Sequence, residues 1–157
     1  LVITAGRIHR ISIAPRGGVP KPAVMQAELT AEMIVGNAVA NTRVHGGPDR
    51  VVCLYALEQI EALRREGHPI TPGAVGENIT VEGLNWAQVK PGSRLRLGAD
   101  ALLEITDYAD PCKKIAGAFA DGNSLRIDPG RHPGWARAYA RVLAPGPIRT
   151  GDAVTLI

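Results

Sequence analysis

Glycine and proline interrupt this chain so often that no long helix can form without meeting one of them. There are 18 Gly and 12 Pro in 157 residues. Glycine admits backbone conformations that other residues avoid, and proline removes a backbone donor. Frequent use of both favours short strands joined by tight turns over a helical bundle. Between the breaks, β-prone stretches recur. Residues 8–14, 93–97 and 101–106 read as strands, and the apolar run 51–55 suits a buried one. Residues 138–143 and 153–157 are further candidates, separated by turn chemistry at Pro145-Gly146-Pro147 and Gly151-Asp152. Two segments read as helices. Residues 56–66 place Leu57, Ile60 and Leu63 on one face, with Gly67 where a terminating glycine belongs. Residues 111–120 form the second, with Asp110 as cap and Pro111 at the first helical position. Residues 121–134 read as one long loop, a place where function often sits. The count implies a mainly β fold, a barrel or folded sheet with a few short helices, over one domain spanning 1–157.

Hydrophobic residues make up 45% of the chain, enough for a core. Two cysteines cannot build a disulfide framework, a four-cysteine zinc site or an iron–sulfur cluster. No run approaches 18 uncharged apolar residues, and no basic-then-apolar leader opens the sequence. The expected setting is therefore reducing and cytoplasmic, with no membrane partner. Net charge is +3 with basic residues dispersed, and aromatics are 4%. That offers few stacking faces for a nucleic-acid polymer, so a small anionic ligand is the better account of the surplus charge.

Three segments carry candidate chemistry. Cys112, in Asp110-Pro111-Cys112-Lys113-Lys114, falls at about the second position of the expected helix. Unpaired N–H groups, the positive dipole end and two lysines would stabilise a thiolate there. Against this, Cys112 shares a stripe with Ile115 and Phe119 and could be a buried hydrophobe. Cys53, inside Val51-Val52-Cys53-Leu54, reads as core. The second segment is His45-Gly46-Gly47-Pro48-Asp49-Arg50, where two glycines allow close backbone approach and His45 and Arg50 could hold an anion; an ordinary turn is the alternative. The third is Pro72-Gly73-Ala74-Val75-Gly76-Glu77-Asn78, a loop leading into a strand at Ile79, with Glu77 and Asn78 at its mouth. Asn78 both donates and accepts, which suits a heterocycle edge, or it bonds the backbone of its own loop. His9, His68 and His132 show no metal-ligand spacing, and no phosphate-loop, dinucleotide or serine-hydrolase signature appears.

In order and spacing, these pieces resemble the MOSC domain family, the module found at the C-terminus of molybdenum cofactor sulfurases and as stand-alone bacterial proteins. The resemblance runs from Arg7 to Ile157 through His45-Gly46-Gly47, Gly76-Glu77-Asn78-Ile79-Thr80, Pro91-Gly92-Ser93, Pro111-Cys112, Gly134-Trp135 and Gly151-Asp152. Met33 and Asn37 stand where the family usually has a glycine and an acidic residue. The resemblance implies a β-barrel of the pyruvate-kinase barrel type. It implies molybdenum cofactor (Mo-molybdopterin) as ligand, with Cys112 as the catalytic and metal-binding thiolate. It also implies either reduction of N-hydroxylated compounds such as base analogues, or sulfur or cofactor carriage on a Cys112 persulfide. A thiolate is a soft ligand suited to such a metal, and Arg43, Arg50, Lys113, Lys114 and Arg131 are candidates for the pterin phosphate. With no cluster, flavin or nicotinamide signature, a reductase of this kind needs a separate electron-donor protein.

Overall fold

The computed structural model describes residues 5–38 and 47–157. Its strands are β1 (Ala5–Ser12), β2 (Ala23–Val24), β3 (Gln26–Leu29), β4 (Val52–Ala56), β5 (Ile79–Glu82), β6 (Arg94–Leu97), β7 (Ala101–Ala109), β8 (Arg137–Ala144), β9 (Gly146–Arg149) and β10 (Ala153–Leu156). Seven of them close on themselves in the order β10-β6-β7-β8-β4-β5-β1, because β1 pairs back with β10. Closure leaves no barrel edge to pair with another chain. Every neighbouring pair is antiparallel except β4 and β5, which are parallel and joined by the crossover that carries helix α1 (Leu57–Arg65). β2 extends the sheet from β1, and β3 with β9 forms a separate two-stranded ribbon.

Alternation decides which side chains fill the barrel. On β8, Ala138, Ala140 and Val142 join the main core while Arg137, Tyr139 and Arg141 face the other way. On β4, Val52, Leu54 and Ala56 belong to the same core. Ile8, Leu54, Ile79, Leu95, Leu103 and Val154 are essentially sealed from solvent. Burying each contributes about 1.5–3 kcal/mol. Helix α1 packs Ile60 and Leu63 inward and ends at Glu66, whose N–H reaches Ala62 O; Gly67 follows at φ +103.

The mainly β barrel follows from the punctuation, and α1 stands where the periodicity places it. The second expected helix differs. Residues 111–120 form only a 3-10 helix over Lys113–Ala118, and Cys112 precedes it in extended conformation (φ −134, ψ 171). Two lysines at its start oppose the positive end of a helix dipole, and Gly117 weakens propagation. Asp110 does not cap it; its carbonyl instead accepts from Arg137. The 121–134 loop contains a further 3-10 helix, Ser124–Ile127. β9 contradicts the turn read at Pro145-Gly146-Pro147. Pro147 lies opposite Glu28 in a two-stranded ribbon, where a missing N–H is tolerated. Among the described residues no helix is long and apolar enough to cross a membrane.

Candidate active site

The outward faces of β4 and β8 form the floor of a cleft. Cys53 and Tyr139 lie opposite each other in register, and with Ala109 at the end of β7 they make a small apolar cluster apart from the barrel core. Around this floor stand Gly18, Val19 and Lys21 from the β1–β2 connection, Arg50 and Val51 before β4, and Gly76 and Asn78 before β5. Cys112, Lys114 and Ile115 close the remaining side. The cleft holds about 720 Å³ counting its open mouth.

Arg137 organises this wall. Only 5% exposed, it donates from Nη1 to Val75 O at 2.7 Å and from Nη2 to Asp110 O at 2.9 Å. One guanidinium thereby ties the glycine loop to the segment that carries Cys112. Its Nε has no partner. Cys112 is half-buried, and its carbonyl accepts from Ser124 Oγ at 3.2 Å. Lys21 is fixed by close backbone approach: its N–H donates to Gly73 O at 3.0 Å, and a Cβ on Gly73 would stand 2.7 Å from Lys21 O. Gly73 also sits at φ +86, so the position requires glycine twice over.

Burial sets the electrostatics. It pushes the Lys21 ammonium below its ordinary range, with the nearby Cys53 and Glu77 opposing. It pushes the Cys53 thiol up, against the pull of Arg137. The Tyr139 phenol rises to about 12, first through burial and then through Cys53. The guanidinium of Arg50 lies 4.8 Å over the Tyr139 ring.

The expected site residues divide. Cys112, Arg50 and Asn78 meet in the cleft. Asn78 is engaged on the scaffold: Oδ1 accepts from Cys53 N at 3.0 Å and Nδ2 donates to Ser12 O at 3.3 Å. Reading a heterocycle edge is thus not its main work; bridging β4 to β1 is. Glu77 is not at the mouth but sealed beneath the wall, with Oε2 accepting from Thr80 Oγ1 at 3.1 Å and Oε1 unpartnered. Burial raises its carboxyl above the usual range. Lys113 is exposed and outside the cleft, where Lys114 lines it. Arg131 is exposed on the 121–134 segment, with its N–H on Asp128 Oδ2, and does not line the cleft. Gly47 is exposed at φ +79 in a turn closed by Arg50 N–H on its carbonyl at 3.1 Å. His45 and Gly46, like Arg43, lie outside the described residues. Sequence reasoning missed Lys21, Arg137 and Tyr139 and assigned Cys53 to the core alone. Arg137 could be seen as a charge opening the run Arg137-Ala138-Tyr139-Ala140, which marks the residue but not the cleft it reaches.

Comparison with known proteins places the chain. The family model described as MOSC domain matches residues 41–155. The uncharacterized protein YflK of Bacillus subtilis is 32% identical over 90% of this chain and 63% of its own length. Protein YiiM of Escherichia coli is 31% identical over 82% of this chain and 58% of its own. A protein of Gibberella moniliformis named reductase is 30% identical over all of this chain but only 29% of itself. The chain thus spans about three fifths of the two bacterial relatives. Among solved structures, Bacillus subtilis YuaD superposes with a TM-score of 0.79 at 19% identity, covering 97% of this chain and 95% of that one. YiiM from Geobacillus stearothermophilus superposes with a TM-score of 0.71 at 27% identity, covering 97% of this chain and 75% of that one.

Proposed function

The chain belongs to the MOSC domain family, and from that premise we propose that it binds molybdenum cofactor and reduces N-hydroxylated compounds in the cytoplasm. A separate electron-donor protein supplies the reducing equivalents. The observation that carries this reading is a half-buried thiol, Cys112, on a cleft also lined by Lys21, Arg50, Lys114 and Arg137. One soft ligand among four cationic side chains is the donor set that an anionic, sulfur-rich metal group requires. The unpartnered Arg137 Nε, buried in the same wall, is a donor in want of an acceptor.

When bound, the cofactor supplies two-electron redox chemistry that no side chain here provides. Overall, the N–O bond of R–NHOH breaks, two electrons and two protons enter, and R–NH2 and water leave. Cys112 is the residue that would hold the metal. Arg50 and Lys114, which also line the cleft, would hold the cofactor's anionic groups. Arg137 fixes the segment bearing Cys112 through Asp110 O. Lys21 Nζ carries a proton that burial makes easier to release than from an exposed lysine, so it suits delivery to the departing oxygen. Tyr139 keeps its phenolic proton at neutral pH and remains a donor.

The test is reduction of an N-hydroxylated base by cofactor-loaded protein with an added donor protein. Cys112→Ser is expected to lower turnover at least about 100-fold, and retained turnover would remove Cys112 from its role. A second reading, a carrier holding a persulfide on Cys112 without turnover, is favoured by the partial exposure of that thiol. Mass spectrometry of freshly isolated protein separates the two, since only the carrier shows a sulfur adduct on Cys112.

A further inference from the structure

Cys53 and Cys112 are the two cysteines of the chain, and both line the same cleft as free thiols. They reach it by different routes. Val52 and Leu54 point into the barrel core, so alternation turns Cys53 to the opposite face of β4, where it packs on Ala109 and Tyr139. Ala109 is the last residue of β7, and Cys112 follows three residues later. That tether keeps Cys112 within about 11 Å of the Ala109 backbone. Tyr139 packs with Cys53 and lines the same cleft as Cys112. Lys21 and Arg137, both on the cleft, act on Cys53 as neighbouring cations. The segment carrying Cys112 is held by two side-chain hydrogen bonds, Arg137 to Asp110 O and Ser124 to Cys112 O.

We propose that Cys53 is a second functional thiol and that Cys53 and Cys112 form a dithiol on one cleft, closed to an internal disulfide by a small-molecule disulfide. In the first step the more accessible Cys112 thiolate attacks R–S–S–R, forming Cys112–S–S–R and expelling one thiolate. The Cys53 sulfur then attacks the Cys112 sulfur, the mixed disulfide breaks and the second R–S⁻ leaves. The two cysteine protons end on the two released thiols. The cysteines are oxidised by two electrons and the small disulfide is reduced to two R–SH. The closed form withdraws Cys112 from any ligand in the cleft. This goes beyond the reductase reading and does not depend on a bound metal.

The experiment incubates the protein with glutathione disulfide, traps free thiols with an alkylating agent, and measures intact mass and non-reduced peptides. The expected result is a monomer lighter by about 2 Da that yields a linked Cys53–Cys112 peptide and is restored by dithiothreitol. Cys53→Ala is expected to stop at one glutathione adduct on Cys112, and Cys112→Ala to lose the fast reaction altogether. Wild-type protein that stops at a glutathione adduct on Cys112, links only between molecules, or leaves both thiols free for alkylation would overturn the proposal. Should Cys53→Ala not fold, the wild-type peptide map still decides. A negative result leaves the molybdenum reading untouched, and failure of that reading leaves this one standing.

Discussion

The inside of the barrel and the wall of the cleft are built on opposite rules. The interior is apolar and mostly aliphatic, from Ile8 on β1 to Val154 on β10, with Tyr55, Trp86 and Phe119 among its members, and it is held chiefly by close packing. The buried polar side chains among the described residues are Ser12, Glu77, Asn78, Thr80 and Arg137. Ser12, Asn78 and Arg137 join the strands and loops that frame the cleft, and Glu77 and Thr80 lie directly behind them. Two of their atoms, Glu77 Oε1 and Arg137 Nε, lack partners. An unpaired buried polar atom costs about 1–3 kcal/mol. The interior therefore supplies stability that the wall spends, and the wall keeps charge where a ligand can meet it.

The contrast breaks most visibly at Arg137. Arg137→Met should destabilise the protein by about 3–5 kcal/mol, because it strands the Val75 and Asp110 carbonyls and leaves buried Glu77 without its nearby cation. Leu54→Ala in the interior should cost about 3 kcal/mol by cavity formation alone. Chemical denaturation measures both. If Arg137→Met proved the milder of the two, the wall would not be organised by that residue.

A smaller effect tests the charge on Glu77. Its carboxyl pKa in the folded protein lies above the ordinary 4.5. The folded state therefore binds that proton more tightly than the unfolded chain does. Its contribution to stability is fully present below 4.5 and is lost as pH rises through the raised value. Glu77→Gln should remove that decline, so the variant gains on wild type as pH rises from 4.5 through the raised value. Parallel stability curves over that range would contradict it.

The least effect belongs to the surface. Arg126 makes a bidentate contact with Glu66 at 2.9 and 2.7 Å and lies 4.2 Å over the Trp135 ring. Glu66 is 41% exposed, so water and salt screen the pair. Arg126→Gln should shift stability by about 1 kcal/mol or less. A loss equal to that of Arg137→Met would erase the distinction between burial and exposure.

What could be read from the residues follows the same division. The barrel strands carried alternation or unbroken apolar runs, and α1 carried its own cap and stripe, so local patterns sufficed. The ribbon of β3 and β9 did not show, because Pro147 and Gly146 signal a turn unless the partner strand is known. The cleft was half legible. Cys112 and the glycine loop announce themselves by spacing. Lys21 and Arg137 reach the cleft only because a loop and a strand far apart in sequence converge there, and no local pattern encodes that. Glu77 and Asn78 lie in the expected loop, but that Glu77 is sealed beneath the wall and that Asn78 bonds Cys53 N and Ser12 O could not be read locally, because burial is a property of the fold.

The central claim is that the Cys112 thiolate holds the metal of a molybdenum cofactor in this cleft. Molybdenum and pterin content, measured on wild-type and Cys112→Ser protein purified from a host that makes the cofactor, tests it directly. The account predicts near-stoichiometric molybdenum in the wild type and its loss from the variant. Equal molybdenum in both proteins, or none in either, would contradict it.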